Sequence, residues 1–322
     1  MQVHFNESGR YEVRHVAVSQ PVLFDEVVTA SIHETAPGLA NFRSQDFSIR
    51  DVTRALYFKT AAVYARCAGT VKVSEPILDT RAVEPNNMAH LLLDIIPCVL
   101  HARRVLGREV SVLSRSLQDP FRRVLETFAI PRIESRHNIE ADFIKVRGAR
   151  GLAVFDLLGH AECPAHVSLP DPYQGITFES SVRFDRVFFA RRGPRALSNH
   201  AEVESVMRRF GYETIFMEDY SIQDQLSIGA QAKHVVAIHG AAMALLALNR
   251  TVDSVVELMP PHVYHEMFAM CPRSRALRYH VIISEFDPVV QQSGWPALAY
   301  HKERSFATDL NLLEKSLLSV HQ

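Results

Sequence analysis

The chain lacks most of the patterns that announce a familiar chemistry. It has neither GxGxxG nor GxxxxGK[ST], so the usual glycine-rich phosphate loops are missing. No GxSxG elbow offers an exposed serine, and the missing glycine fingerprint and serine elbow argue against a Rossmann-type oxidoreductase or a hydrolase. No DxD pair is present to hold a divalent ion against a diphosphate. The near-match His262, His265 and Glu266 lacks HEXXH spacing and follows Pro260-Pro261, so no metal site is assigned. Four cysteines (Cys67, Cys98, Cys163, Cys271) stand far apart, which is neither a disulfide framework nor a zinc site and suits a reducing compartment.

Charge is equally unmarked. Thirty-five Lys and Arg balance 36 Asp and Glu, for a net charge of -1. No broad basic field exists to hold nucleic acid or an anionic membrane. The longest apolar runs, Leu91–Leu100 and Val235–Leu248, are interrupted by Asp94 and His239 and fall short of a span. The N-terminus has no apolar core of signal-peptide type, so a cytoplasmic protein is expected. Peripheral association with an inner-membrane polysaccharide assembly stays open.

What is present is an alternation of short apolar strands with amphipathic helices. In the second half, Arg186–Ala190, Glu213–Met217, Val235–Ile238, Ser254–Leu258 and Tyr279–Ser284 read as strands. Helices are predicted from Ser198 or Asn199 to Phe210, from Ser221 to Ala232, over Ala241–Leu248 and near Tyr264–Met270. Ser221 and Asp224 form a capping box. In the first half a helix runs from about Met88 to Leu106, kinked at Pro97, followed by a strand at Glu109–Leu113 and a helix at Asp119–Phe128. The expectation is an α/β protein with two Rossmann-like domains facing each other across a cleft. Residues 1–170 would form one domain and 171–295 the other, with the proline-broken stretch from Glu162 to Ser180 as crossover. The tail 296–322 would pack back on the first domain.

Four constellations carry candidate chemistry. His239-Gly240-Ala241 joins a strand to a helix start, where free N–H groups and partial positive charge favour a phosphate. A bland strand–helix turn with a bonded histidine is the alternative. Arg191, Arg192 and Arg195 follow the strand Arg186–Ala190, on the same edge of the sheet. They crowd unless an anion neutralises them, although a solvated turn is the commoner case. Glu257, near a strand end, either accepts the hydroxyls of a ribose or pairs with an arginine. His90 and Asp94, at i, i+4, form either a general base with its orienting partner or a structural pair.

In order, these segments resemble the family 61 glycosyltransferases, also called the DUF563 domain. The resemblance runs from about Asn87 to Pro260 through N-x-x-H-x-x-x-D (Asn87, His90, Asp94) and R-R-x-x-R (Arg191, Arg192, Arg195). It continues through S-x-x-[DE]-Q (Ser221, Asp224, Gln225), HGA (His239 to Ala241) and E-L-x-P (Glu257, Leu258, Pro260). Two departures stand out: Ala89 replaces an aromatic residue frequent before the motif histidine, and no secretory anchor is evident, as in the bacterial branch acting on capsule, lipopolysaccharide or exopolysaccharide precursors.

The resemblance implies a GT-B fold and an inverting transfer from a nucleotide sugar to a glycan or lipid-linked acceptor; with no DxD and an arginine cluster in its place, no cofactor and no metal are expected. It implies that Arg191, Arg192 and Arg195 with His239, Gly240 and Ala241 hold the diphosphate, and that Glu257 and Gln225 contact nucleoside or sugar. Asn87 would lie on the acceptor side, and Asp94 or His90 would be the base. A non-catalytic nucleotide-sugar or glycan-binding subunit of a polysaccharide-synthesis complex is the alternative.

Overall fold

Strands buried on both faces need helices above and below, and the second half of the chain builds such a sheet. The computed structural model describes residues 3–5, 10–13, 24–31, 70–80, 86–114, 116–135, 138–146, 171–260, 268–269, 271–272, 274, 277–284 and 305–321. The chain divides into two compact units, Gln20–Tyr173 and Gln174–Gln322, the latter joined by Met1–Ser19. Both are α/β.

In the C-terminal unit, β9 (Arg186–Ala190), β10 (Glu213–Phe216), β11 (His234–Ile238), β12 (Ser254–Met259) and β13 (Arg278–Ile283) pair in parallel in the order β13-β12-β11-β9-β10. The sheet then gains a hairpin that the sequence pattern did not reveal. β1 (Val3–Phe5) and β2 (Arg10–Val13) pair antiparallel, and β2 lies antiparallel to β13.

Strand side chains alternate between faces. One face presents Phe188, Ala190, Val236, Ile238, Val256, Leu258 and Ile282 to a shared core. Helix α3 (His200–Arg209) covers it with Val203, Val206 and Met207, and α5 (Leu310–Val320) with Leu313, Leu317 and Val320. The tail helix therefore packs on the C-terminal unit, contrary to expectation. Its i, i+4, i+7 apolar stripe fits the gap beside α3, and β12 and β13 lie beneath it. Residues 296–304 lie outside those described, as do most of 264–270, where a helix was predicted.

Helix α4 (Ile222–Gln231) packs against a 3₁₀ segment, Ala241–Leu248. Contact is close because Gly229 has no side chain. A Cβ there would overlap Leu245 Cβ and come within 3.0 Å of the Leu245 carbonyl oxygen. Buried Asn249 ties the ends together: its amide donates to the Gly229 and Ala232 carbonyls, both at 2.8 Å, and its oxygen accepts from the Thr251 and Val252 amides. These carbonyls end a helix and would otherwise lack donors.

The N-terminal unit holds a smaller sheet, β3 (Phe24–Ser31), β8 (Asn138–Val146), β5 (Ile77–Asp79), β6 (Ser111–Ser114) and β7 (Arg132–Glu134) in that order, with β4 (Thr70–Lys72) also beside β8. β3 is antiparallel to β8 and the other pairs are parallel. Ile77, Leu113, Ile139 and Ala141 form its buried centre. Helix α1 comprises α-helical Met88–His90 and Ile96–Leu106 with a π-helical turn, Leu91–Ile95, between them. It ends at Gly107, whose left-handed backbone (φ 64°) directs its N–H to the Arg103 carbonyl. Helix α2 (Asp119–Thr127) follows β6.

Candidate functional site

The strand order locates the place where the C-terminal unit opens. The chain leaves β9 toward β10 on one side, then returns across β9 to build β11, β12 and β13 on the other. Connections after β9 and β11 therefore depart toward opposite faces, and ligands of such sheets sit outside the carboxyl ends of strands at that switch point. The loop after β9 begins with Arg191, and β11 is followed by His239 and Gly240.

These loops touch. A Cβ on Gly240 would lie 2.5 Å from Arg191 Nη1, so the guanidinium rests against the bare glycine backbone. Gly240 itself is extended (φ 163°), a conformation any residue adopts. Glycine is required for the approach of Arg191, not for the turn. Arg191 Nε donates to the Pro194 carbonyl at 2.6 Å, curling the side chain over its own loop.

The other two arginines diverge. Arg195 has a left-handed backbone (φ 62°), and its buried Nε finds no hydrogen-bond partner. Arg195 is thus a locally strained position in the loop after β9. Arg192 instead faces Asp219, donating to both carboxylate oxygens at 2.6 and 2.7 Å, with Glu218 at 3.5 Å. Its guanidinium also stacks 3.8 Å from the Phe216 ring centroid. Of the three arginines, Arg191 meets Gly240, while Arg192 braces β10.

His239 is buried, and its Nδ1 lies 2.5 Å from Glu257 Oε1. The Tyr279 hydroxyl donates to Glu257 Oε2 at 2.6 Å. Burial, then the adjacent Glu257 charge, pushes that hydroxyl well above its ordinary pKa. Phe268 meets the His239 ring edge-on at 5.1 Å. Glu257 is 1% exposed with both oxygens engaged, so it faces His239 within the sheet layer rather than presenting itself to a ribose.

The helix predicted after HGA forms, but as 3₁₀. Residues at i and i+3 eclipse in that geometry, and Ala241, Ala244 and Ala247 stack there with only methyl groups. The capping box is present: Ser221 Oγ accepts from the Asp224 amide at 3.2 Å, and the Ser180 and Ser221 hydroxyls hold the Asp224 carboxylate below its usual range. Gln225 donates to the Tyr220 carbonyl at 3.0 Å, inside its own helix start.

In the N-terminal unit, Asn87 caps α1, its side-chain oxygen accepting from the Ala89 amide at 2.9 Å. His90 and Asp94 are buried on the same helix, with Nδ1 and Oδ2 3.7 Å apart, an ion-pair distance longer than a hydrogen bond. Pro97 does not break the helix. The π turn carries the chain past it, and proline's missing N–H falls five residues after Leu92, where the π register would need a donor. The Tyr173 hydroxyl donates to the Leu92 carbonyl instead. One turn on, burial and the Asp94 charge push the Cys98 thiol far above its usual pKa.

Tyr279, Tyr173 and Asn249 were not singled out in the sequence. Only their burial and partners mark them, and no local spacing does. Among the described residues no three His, Cys, Asp or Glu side chains cluster as metal ligands, and no helix is long and apolar enough to cross a membrane. His262, His265 and Glu266 lie outside the described residues.

A parallel, doubly wound unit with the Arg191 guanidinium against Gly240 at its switch point defines the class: an α/β protein. The glycosyltransferase 61 family profile matches residues 88–262, more than half of the 322-residue chain. The chain belongs to that family of glycosyltransferases. No curated protein matches it.

Proposed function

We propose that this chain is an inverting glycosyltransferase of the GT-B class that moves a sugar from a UDP-sugar to a glycan or lipid-linked glycan in cell-surface polysaccharide biosynthesis. The observation that carries this reading is the contact of Arg191 with Gly240 at the switch point of a family 61 chain. Arg191, Arg195 and His239 would stabilise the diphosphate as the anomeric C–O bond breaks, a preorganised charge that needs no metal or cofactor. The acceptor hydroxyl would form the new bond from the opposite face of the sugar, giving its proton to Asp94 or His90 while the nucleoside diphosphate leaves with the electron pair. Gln225 would lie toward the nucleoside or sugar, and Asn87 would set the start of the base-bearing helix. Action at the cytoplasmic side of the inner membrane, on capsule or lipopolysaccharide precursors, belongs to this reading.

A panel of UDP, GDP, CMP and TDP in a thermal-shift assay tests it, since a ligand that binds only the native state raises its melting temperature. UDP is expected to raise it. Mass spectrometry of a mixture of nucleotide sugars with an oligosaccharide acceptor then identifies the sugar consumed. No shift with any nucleotide, in folded protein, would sink the reading.

A further inference from the structure

A buried carboxylate next to a histidine asks what the histidine is for. Glu257 lies in the second half of β12, on the face opposite Val256 and Leu258, where its neighbours are apolar. Placing a carboxylate there is costly unless every oxygen is engaged. Both are: Tyr279 from the adjacent strand serves Oε2, and His239 at the end of β11 serves Oε1. The Tyr279 hydroxyl stays protonated and donates its proton to Oε2. Where Glu257 Oε1 accepts from the imidazole as Oε2 does from Tyr279, the bonding proton sits on His239 Nδ1. The imidazole's geometry then turns Nε2 away from Glu257. The Phe268 ring, edge-on at 5.1 Å, limits the tilt of the imidazole.

We propose that Glu257 and Tyr279 are positioning residues for His239, fixing one tautomer and one ring orientation so that Nε2 serves the leaving diphosphate beside Gly240 and Arg191. This rests on the transferase reading for the identity of the anion, while the orientation itself does not. Glu257, with Tyr279 behind it, and Phe268 are among the groups that face the imidazole. Arg191 meets the backbone of the next residue, Gly240. The device differs from a catalytic base. Glu257 acts through the ring it contacts, and Tyr279 acts through Glu257.

The test uses the full chain labelled with ¹⁵N-histidine, with the His239 signal assigned by its loss in His239→Asn. Native protein is expected to show a single tautomer protonated at Nδ1. Tyr279→Phe, which removes only the hydroxyl, is expected to give a mixed or shifted signal and to weaken UDP binding about tenfold. Glu257→Gln, where it folds, is expected to do both more strongly. A native-like His239 signal in Tyr279→Phe, or a changed signal with unchanged UDP affinity, overturns the proposal. If native protein binds no UDP, the donor reading fails. In that case the Tyr279→Phe spectrum still decides whether the pair orients His239.

Discussion

Arg191 occupies the space that a side chain on Gly240 would need. The clash in Gly240→Ala is with Nη1, the far end of a flexible side chain, so the guanidinium swings away at little cost to folding. The expected result is a stability change within about 0.5 kcal/mol of native, in the range of substitutions that leave packing intact. In the transferase reading, UDP binding should fall as far as it does in Arg191→Ala. In the double variant the two losses should not add, because both act by removing the same guanidinium. Additive losses measured by calorimetry would mean that Gly240 acts by another route.

The contact between α4 and the 3₁₀ segment behaves oppositely. In Gly229→Ala the new methyl meets Leu245 Cβ and its carbonyl oxygen, neither of which can rotate aside. Overpacking of this kind costs about 1–3 kcal/mol. A denaturant midpoint shifted by that amount, with m unchanged, is expected. Gly229 thus serves packing against Leu245, whereas Gly240 makes room for the Arg191 guanidinium.

Much of this frame could be read locally, and the reason is burial. Arg186–Ala190 was read with its observed ends, and the four following strands within a residue or two, because apolar runs bounded by turn residues are local signals. What escaped is non-local. The pairing of Arg10–Val13 with β13 spans most of the chain, and the fate of α5 depends on which apolar surface was still uncovered. The π turn depends on Tyr173, about 80 residues away along the chain, supplying the donor that Pro97 lacks. The candidate site shows the same division. Arg191 and His239 were visible from their places after strands, while the engagement of Arg192 by Asp219 and the burial of Glu257 were settled by side-chain partners on other elements.

Asn249 is a buried clasp, and its loss should be felt twice. Asn249→Ala deprives two carbonyls and two amides of partners without giving water access. Each unsatisfied buried group costs about 1–3 kcal/mol, so a loss of at least ~2 kcal/mol is expected. Hydrogen exchange should speed first in the last turn of α4. Uniform acceleration throughout the unit would instead indicate global unfolding alone.

Acid should loosen the C-terminal unit through His321. Burial, then the positive charges of Arg186, His234 and Arg278, lowers its pKa to about 4, and His234 is lowered too. The unfolded chain takes up a proton near pH 6.5 and the folded chain resists until about 4, so the unfolded state binds more protons between them. Stability contributed by neutral His321 is therefore present above pH 6.5 and is lost as pH falls toward 4. His321→Phe should flatten part of that slope in melting temperature against pH. An unchanged slope would remove His321 from the account.

Asp94 and His90 sit on a helix whose fold does not require them to be ionisable, so their chemistry is separable from their packing. Asp94→Asn keeps the shape of a side chain that is buried beside His90 on the π turn. In the transferase reading it leaves UDP binding near native, because the diphosphate groups belong to the C-terminal unit, and it lowers sugar transfer by about 10²–10⁴, the usual contribution of a positioned base. His90→Gln distinguishes the two assignments. If His90 is the base, its loss abolishes the acidic limb of the pH–rate profile and Asp94→Asn only shifts it. If Asp94 is the base, the roles exchange. Transfer at native rates in both variants would place the base elsewhere.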